Sequence, residues 1–260
     1  MNISSPGKLS TPLERWGDAI GRWNPQLLRE LRGTLTAKSV MAAVILAIAL
    51  QALVGYIGLG SNQDPKDILL ITRVLWLILM ALVGSTTLVN NWSREVKLGT
   101  LDFLRLSPEP AWRILLGKFL GAPALCFVAA IAWLPFHLYL VIASGSSLVD
   151  SLVTDIVNVA MLVTFYSSIL TLSTWAGKLN LSWAYLLGYF IFTAWPVLIL
   201  GATEMDEGTP FPGGLWWFGL DLSQSTMVLL TWGTGIMVAI TAYCWSASCR
   251  RFNTPHGATL

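Results

Sequence analysis

The sequence predicts an all-α polytopic membrane protein: a bundle of six transmembrane helices, with an N-terminal amphipathic interfacial helix and a cytoplasmic helix between spans 2 and 3. Three observations carry that prediction. The chain is 55% hydrophobic and only 12% charged, whereas soluble domains carry roughly 25% charged residues. It holds 13 Trp in 260 residues, and Trp is enriched where a membrane meets water. Apolar runs also recur at about the 20 residues a helix needs to cross roughly 30 Å of hydrocarbon. The runs are continuous rather than alternating, which disfavours a barrel, and only closed barrels or helices satisfy their backbone groups in lipid.

Residues 1–37 form a cytoplasmic segment. Leu13, Trp16, Ile20 and Trp23 recur at helical spacing, with Glu14, Arg15, Asp18 and Arg22 on other faces. This predicts a helix lying flat at the headgroup boundary. Asn24-Pro25 then restarts a helix, Asn as cap and Pro at the first helical position, carrying Leu27, Leu28 and Leu31 beside Arg29, Glu30 and Arg32. The opening residues are polar, so the first span is expected to serve as its own signal anchor.

Residues 38–248 hold the spans, at Val40 to Leu59, Val74 to Asn90, Ile114 to Ala143, Leu152 to Ala176, Leu181 to Leu200 and Thr226 to Ser246. The third run exceeds one perpendicular crossing and contains Pro123 and Pro135, so a tilted or kinked helix is expected. The connection from Ala202 to Ser225 reads as an acidic lip, Glu204, Asp206 and Glu207, followed by an aromatic piece at Trp216, Trp217 and Phe218. Residues 249–260 form a short tail.

Orientation follows from the cations, which are retained on the cytoplasmic side of short loops. Of the 16 Lys and Arg, only Lys66 and Arg73 fall on the outer side, which places both termini in the cytoplasm. Cys126, Cys244 and Cys249 lie within or just inside the membrane and match no disulfide framework or zinc spacing. No metal or nucleic-acid site is expected.

The segment 92–113, between spans 2 and 3, is rich in helix formers. Leu98, Leu101 and Leu104 form an apolar stripe at spacing three, near Arg94 and Arg105, and Ser107-Pro108-Glu109-Pro110 ends the helix. Such a helix lies against the bundle's own base or meets a partner.

Here the chain resembles the permease subunits of type-2 ABC exporters. The resemblance rests on Glu95, Gly99-Thr100-Leu101, Leu104, Pro108 and Gly117-Lys118 in order, on Asn24-Pro25 with Arg29-Glu30 before the first span, and on six spans with cytoplasmic termini. It covers nearly the whole chain. It implies a permease in the bacterial plasma membrane, coupled to a separate ABC ATPase subunit and paired with a second permease copy or homologue. Segment 92–113 would then be a coupling helix. Its implied contacts are Leu98, Leu101 and Leu104 as the apolar face, Arg94 and Glu95 as a charged rim or cap, Gly99 and Thr100 at a bend or close approach, Pro108 at the exit, and Lys118.

The chain is not expected to be an enzyme or to bind a cofactor. Trp112 stands five before Gly117, and Phe119 follows Lys118, so no phosphate-cradling loop forms, and ATP with Mg would be held by the partner subunit. With 2 His, a nucleophile and base at depth are hard to assemble. Thr164, Ser168, Thr171 and Trp175 form a strip on the fourth span that could line a pathway or serve helix packing. Asp155 and His137, near the outer ends of their spans, read as interfacial or satisfied residues, although an intramembrane ionisable group always raises a functional question. Gly117 and Gly121 permit a close helix crossing. A secondary transporter or channel, and a non-transporting scaffold that docks a soluble partner, are the alternatives. The transported substrate has no marker in the sequence.

Overall fold

The computed structural model describes residues 12–60, 63–176, 216–217, 220–221 and 226–253. The predicted fifth span, Lys178, the acidic lip and residues 254–260 lie outside the described residues. Among the described residues four helices are long and apolar enough to cross a membrane, and the chain is a predominantly helical integral membrane protein.

The N-terminal helix α1, Pro12–Trp23, ends where Asn24 takes an extended backbone and caps α2, Pro25–Thr34, its side chain accepting from Leu27 N at 2.9 Å. The Asn24 amide also donates to Arg113 O at 2.7 Å. One side chain therefore ends one helix, starts the next and ties both to α6, Ala111–Gly121.

Helix α3, Ala37–Gly60, is the first candidate span and is nearly bare. Met41, Ile45, Leu46 and Leu53 face outward, as apolar side chains do where the solvent is lipid. It is held to α7, Ala124–Ala143, by Gln51, which donates to Ala132 O at 3.0 Å, and by Gly55 against the Phe136 ring.

Helix α4, Pro65–Leu98, runs 34 residues and extends beyond its predicted span at both ends. Asp64 caps its start through Lys66 N at 2.9 Å, with Pro65 at the first position. Gly99 ends it in the left-handed region, φ 68°, its N–H turned back to Glu95 O and Val96 O, a conformation that strains residues with a Cβ. A short helix, α5, Thr100–Arg105, follows at once.

The third span, expected as one tilted or kinked helix, is two helices. The break lies at Ala122-Pro123, between α6, Ala111–Gly121, and α7, Ala124–Ala143. Proline supplies no N–H and its ring blocks the preceding turn. The 20 residues of α7 then cross alone, about 30 Å at the helical rise, and Pro135 is accommodated inside it. Helix α8, Leu148–Ala176, and α9, Thr226–Asn253, follow. Trp216–Trp217 and Leu220–Asp221, β1 and β2, form a two-stranded antiparallel pair.

Packing concentrates at one end of the bundle, here called the base. There Trp92, Leu101, Leu115, Phe119, Tyr166, Leu170 and Phe252 join α4, α5, α6, α8 and α9 in one core. Tyr166 reaches α4 because residue 84 is Gly: a Cβ there would collide with the phenol, whose hydroxyl donates to Met80 O at 2.6 Å. Helix α2 lies on α6 just as closely. A Cβ on Gly117 would meet Leu27 N at 2.8 Å, and one on Gly121 would collide with Glu30.

Gly121→Ala should therefore push α2 off α6 and lower thermal stability in detergent by about 1–3 kcal/mol. Gly33→Ala, in the same pair of helices with nothing within 4 Å of its added Cβ, should be neutral or stabilising by up to ~1 kcal/mol. Equal melting temperatures for the two variants would refute the close-packing account.

Candidate functional site

The base of the bundle holds a buried ionic cluster built from three helices. Lys118 on α6 is 1% exposed. Its Nζ contacts Glu95 Oε2 on α4, lies 3.5 Å from Glu30 Oε1 on α2, and donates to Asn91 Oδ1 at 3.1 Å. It also sits 5.9 Å from the centre of the Trp92 ring. Arg29 Nη2 closes the ring by contacting Glu95 Oε1, with Glu30 at 3.7 Å. Asn91 donates to Glu30 Oε2 at 2.7 Å and Gln26 to Glu30 Oε1 at 2.8 Å. Two carboxylates thus face an ammonium and a guanidinium, and the balance of charge makes the burial tolerable. The approach of these groups is what Gly117 and Gly121 permit.

Above this cluster, α5 is fixed on one face and open on the other. Leu101 is buried, and Leu104 packs half-buried against the same core. The Arg105 guanidinium lies 5.5 Å from the centre of the Phe252 ring, so the end of α9 braces the helix. Thr100 Oγ1 donates to Glu95 O at 3.3 Å, and Ser107 Oγ to Leu104 O at 2.8 Å. The opposite face displays Phe103, 80% exposed, and Leu106, 84% exposed; Leu98 and Trp112, in the flanking helices, are exposed as well.

The predicted contact residues therefore separate. Glu95 and Lys118 come together, but inside the chain. Leu98, Leu101 and Leu104 do not share a face, because Gly99 breaks the helix between the first and the other two: Leu98 is exposed and Leu101 is core. Arg94, Gly99 and Pro108 are exposed, and Thr100 is half-buried. Phe103 and Leu106 also stand three apart in the sequence. The left-handed turn at Gly99 chooses between the two stripes.

The strip on α8 faces α9. Thr164 and Thr241 hydroxyls lie 3.0 Å apart, Thr171 donates to Cys244 O at 3.0 Å and meets Ser248 Oγ at 3.0 Å, and Ser168 lies 3.7 Å from Cys244 Sγ. These hydroxyls form the α8–α9 seam, the packing role open to them, while Trp175 is exposed.

At the far end of the bundle, Asp155 on α8 and His137 on α7 satisfy each other, Nε2 to Oδ2 at 2.8 Å. Arg73 on α4 joins them, with Nε 3.4 Å from Asp155 Oδ1 and Nη2 donating to Ser151 O at 3.4 Å. Among the described residues no group of His, Cys, Asp and Glu could hold a metal ion. No protein-family model, characterised protein or solved structure matches the chain.

Lys118→Met should destabilise the base by about 3–5 kcal/mol, since it leaves Glu30 and Glu95 buried without their ammonium. Adding Glu30→Gln and Glu95→Gln to that variant should recover part of the loss. Thermal melting of the single and triple variants in detergent measures both steps; a harmless single variant would remove the cluster from the account.

Proposed function

We propose that this chain is the membrane-spanning permease subunit of an ATP-driven ABC transporter, an exporter as the resemblance implies. In this reading it has six spans, both termini in the cytoplasm of a bacterial cell, and a second permease copy or homologue beside it. The observation that carries the proposal is the open face of α5. A two-turn helix between two spans displays Phe103 and Leu106 away from the bundle, yet its other face is anchored in the core shared by α4, α6, α8 and α9. A force applied to that face reaches several membrane helices at once, which is what coupling to a separate motor requires.

Charge supports placing this end in the cytoplasm. Arg94, Lys97, Arg113 and Lys118 gather around α5, with Arg250 and Arg251 at the end of α9. The Gly117-Lys118 pair supports leaving ATP to a partner: it lies inside α6, and the Lys118 ammonium is held by Glu95 and Asn91. The contact set shifts accordingly. Phe103, Leu106 and Leu98 meet the ATPase, with Arg94 at the rim; Glu95, Leu101 and Lys118 hold the helix in position.

Phe103→Asp combined with Leu106→Asp should weaken association with the partner ABC ATPase by roughly 2–4 kcal/mol, the scale of interface hot spots. ATP-dependent flux should be lost while the permease stays folded in the membrane. Leu101→Asp should instead unfold the base. Unchanged co-purification and flux in the double variant would sink the coupling role, and flux that survives ATP depletion would favour a secondary transporter.

A further inference from the structure

The second ionic cluster lines a cavity that the coupling proposal leaves without a role. Between α4, α7 and α8, at the end away from α5, lies a cleft of about 250 Å³. Arg73, His137 and Asp155 stand on its wall, followed deeper by Trp76, Trp133 and Leu162. All three helices show the same gradient. Going toward the base, Arg73 precedes Trp76 on α4, Asp155 precedes Leu162 on α8, and on the oppositely directed α7 His137 comes before Trp133.

The depth of this gradient is set by α4. From Arg73 to Glu95 the helix rises roughly 33 Å at 1.5 Å per residue, close to the thickness of the hydrocarbon layer. With the basal cluster at one boundary, the polar wall of the cleft stands at the other, level with lipid headgroups. Its apolar wall stands among acyl chains. Leu134 and Val159, both lining the cleft, are largely exposed on the outside of the bundle, so the cleft opens sideways toward lipid.

The charges choose among heads. Arg73 Nε lies 3.4 Å from Asp155 Oδ1 and Nη2 donates to Ser151 O at 3.4 Å, which leaves Nη1 of the guanidinium for a further acceptor. The Asp155 side chain is 35% exposed. A purely anionic or purely cationic ligand would add an uncompensated charge to a low-dielectric site. A head of both signs adds none: a phosphate meets the guanidinium fork, and an ammonium meets Asp155. The volume is below the roughly 300–1,000 Å³ of pockets that enclose a whole drug-sized ligand, which suits a head and the start of its chains.

We infer that this cleft binds the head of a zwitterionic phospholipid taken sideways from the bilayer, with phosphate on Arg73, ammonium on Asp155, and acyl chains leaving along Leu134 and Val159. The site does not require an ATPase partner, so its test is independent of the coupling role. The full chain is released from nanodiscs containing equal parts phosphatidylethanolamine, phosphatidylglycerol and a trimethylammonium lipid, and bound lipid is counted by native mass spectrometry. Phosphatidylethanolamine should be retained about tenfold over either singly charged lipid, the ratio one well-placed charged contact supplies.

Asp155→Asn should remove that preference. Ala130→Phe, which fills the cleft from α7 without altering the charged groups, should abolish retention at unchanged melting temperature. Glycerophosphoethanolamine, a head without tails, should fail to displace the lipid. Equal retention of the three lipids, retention that survives Ala130→Phe, or displacement by the free head would each overturn the assignment.

Discussion

Burying Lys118 constrains the rest of the base. An ammonium removed from water needs anionic partners on more than one side, and Glu95 alone, on the neighbouring α4, covers only one. Glu30 supplies the other, and it can do so only if α2 lies against α6 at backbone distance. Gly117 and Gly121 provide that clearance, and Asn24 holds the start of α2 through Arg113 O. Once α2, α4 and α6 are tied in this way, the direction in which α4 delivers the chain to Gly99 is set. So is the face of α5 that points away.

The same helix measures the membrane. Helix α4 carries one ionic cluster near its first turns and another near its last, separated by an apolar stretch of about the bilayer's hydrocarbon thickness. Between them lie Leu77, Met80, Ala81, Gly84 and Leu88, against α8. The clusters differ in kind. The basal one is sealed, with every charged group but Arg29 nearly excluded from solvent. The far one borders a cleft and leaves Asp155 partly open. A sealed cluster suits holding helices together, and an open one suits meeting a ligand.

Much of this was legible from residue order. The amphipathic segment, the restart at Asn24-Pro25 and the apolar spans at α3, α4 and α8 follow from periodicity and capping, which are local. The glycine pair at 117 and 121 announced a close crossing without naming the helix that crosses. Pro123 announced an irregularity but not that the helix would stop there, because whether proline kinks or ends a helix depends on what packs around the freed carbonyls. Leu98, Leu101 and Leu104 misled for a related reason. Spacing defines a stripe only along an unbroken helix, and Gly99 in the left-handed region breaks this one.

Composition, and neighbours three or four residues away, are enough to set the class of environment and the positions of most of the long apolar helices. Which charges are partners depends instead on the folded arrangement of the helices. Glu30, Glu95 and Lys118, like Arg73, His137 and Asp155, come from separate helices. In a medium where a buried charge must find its counterion, the pairing is set by how helices dock and not by distance along the chain. That docking hides Leu101 and Lys118, displays Phe103 and Leu106, and seats the polar strip of α8 against α9.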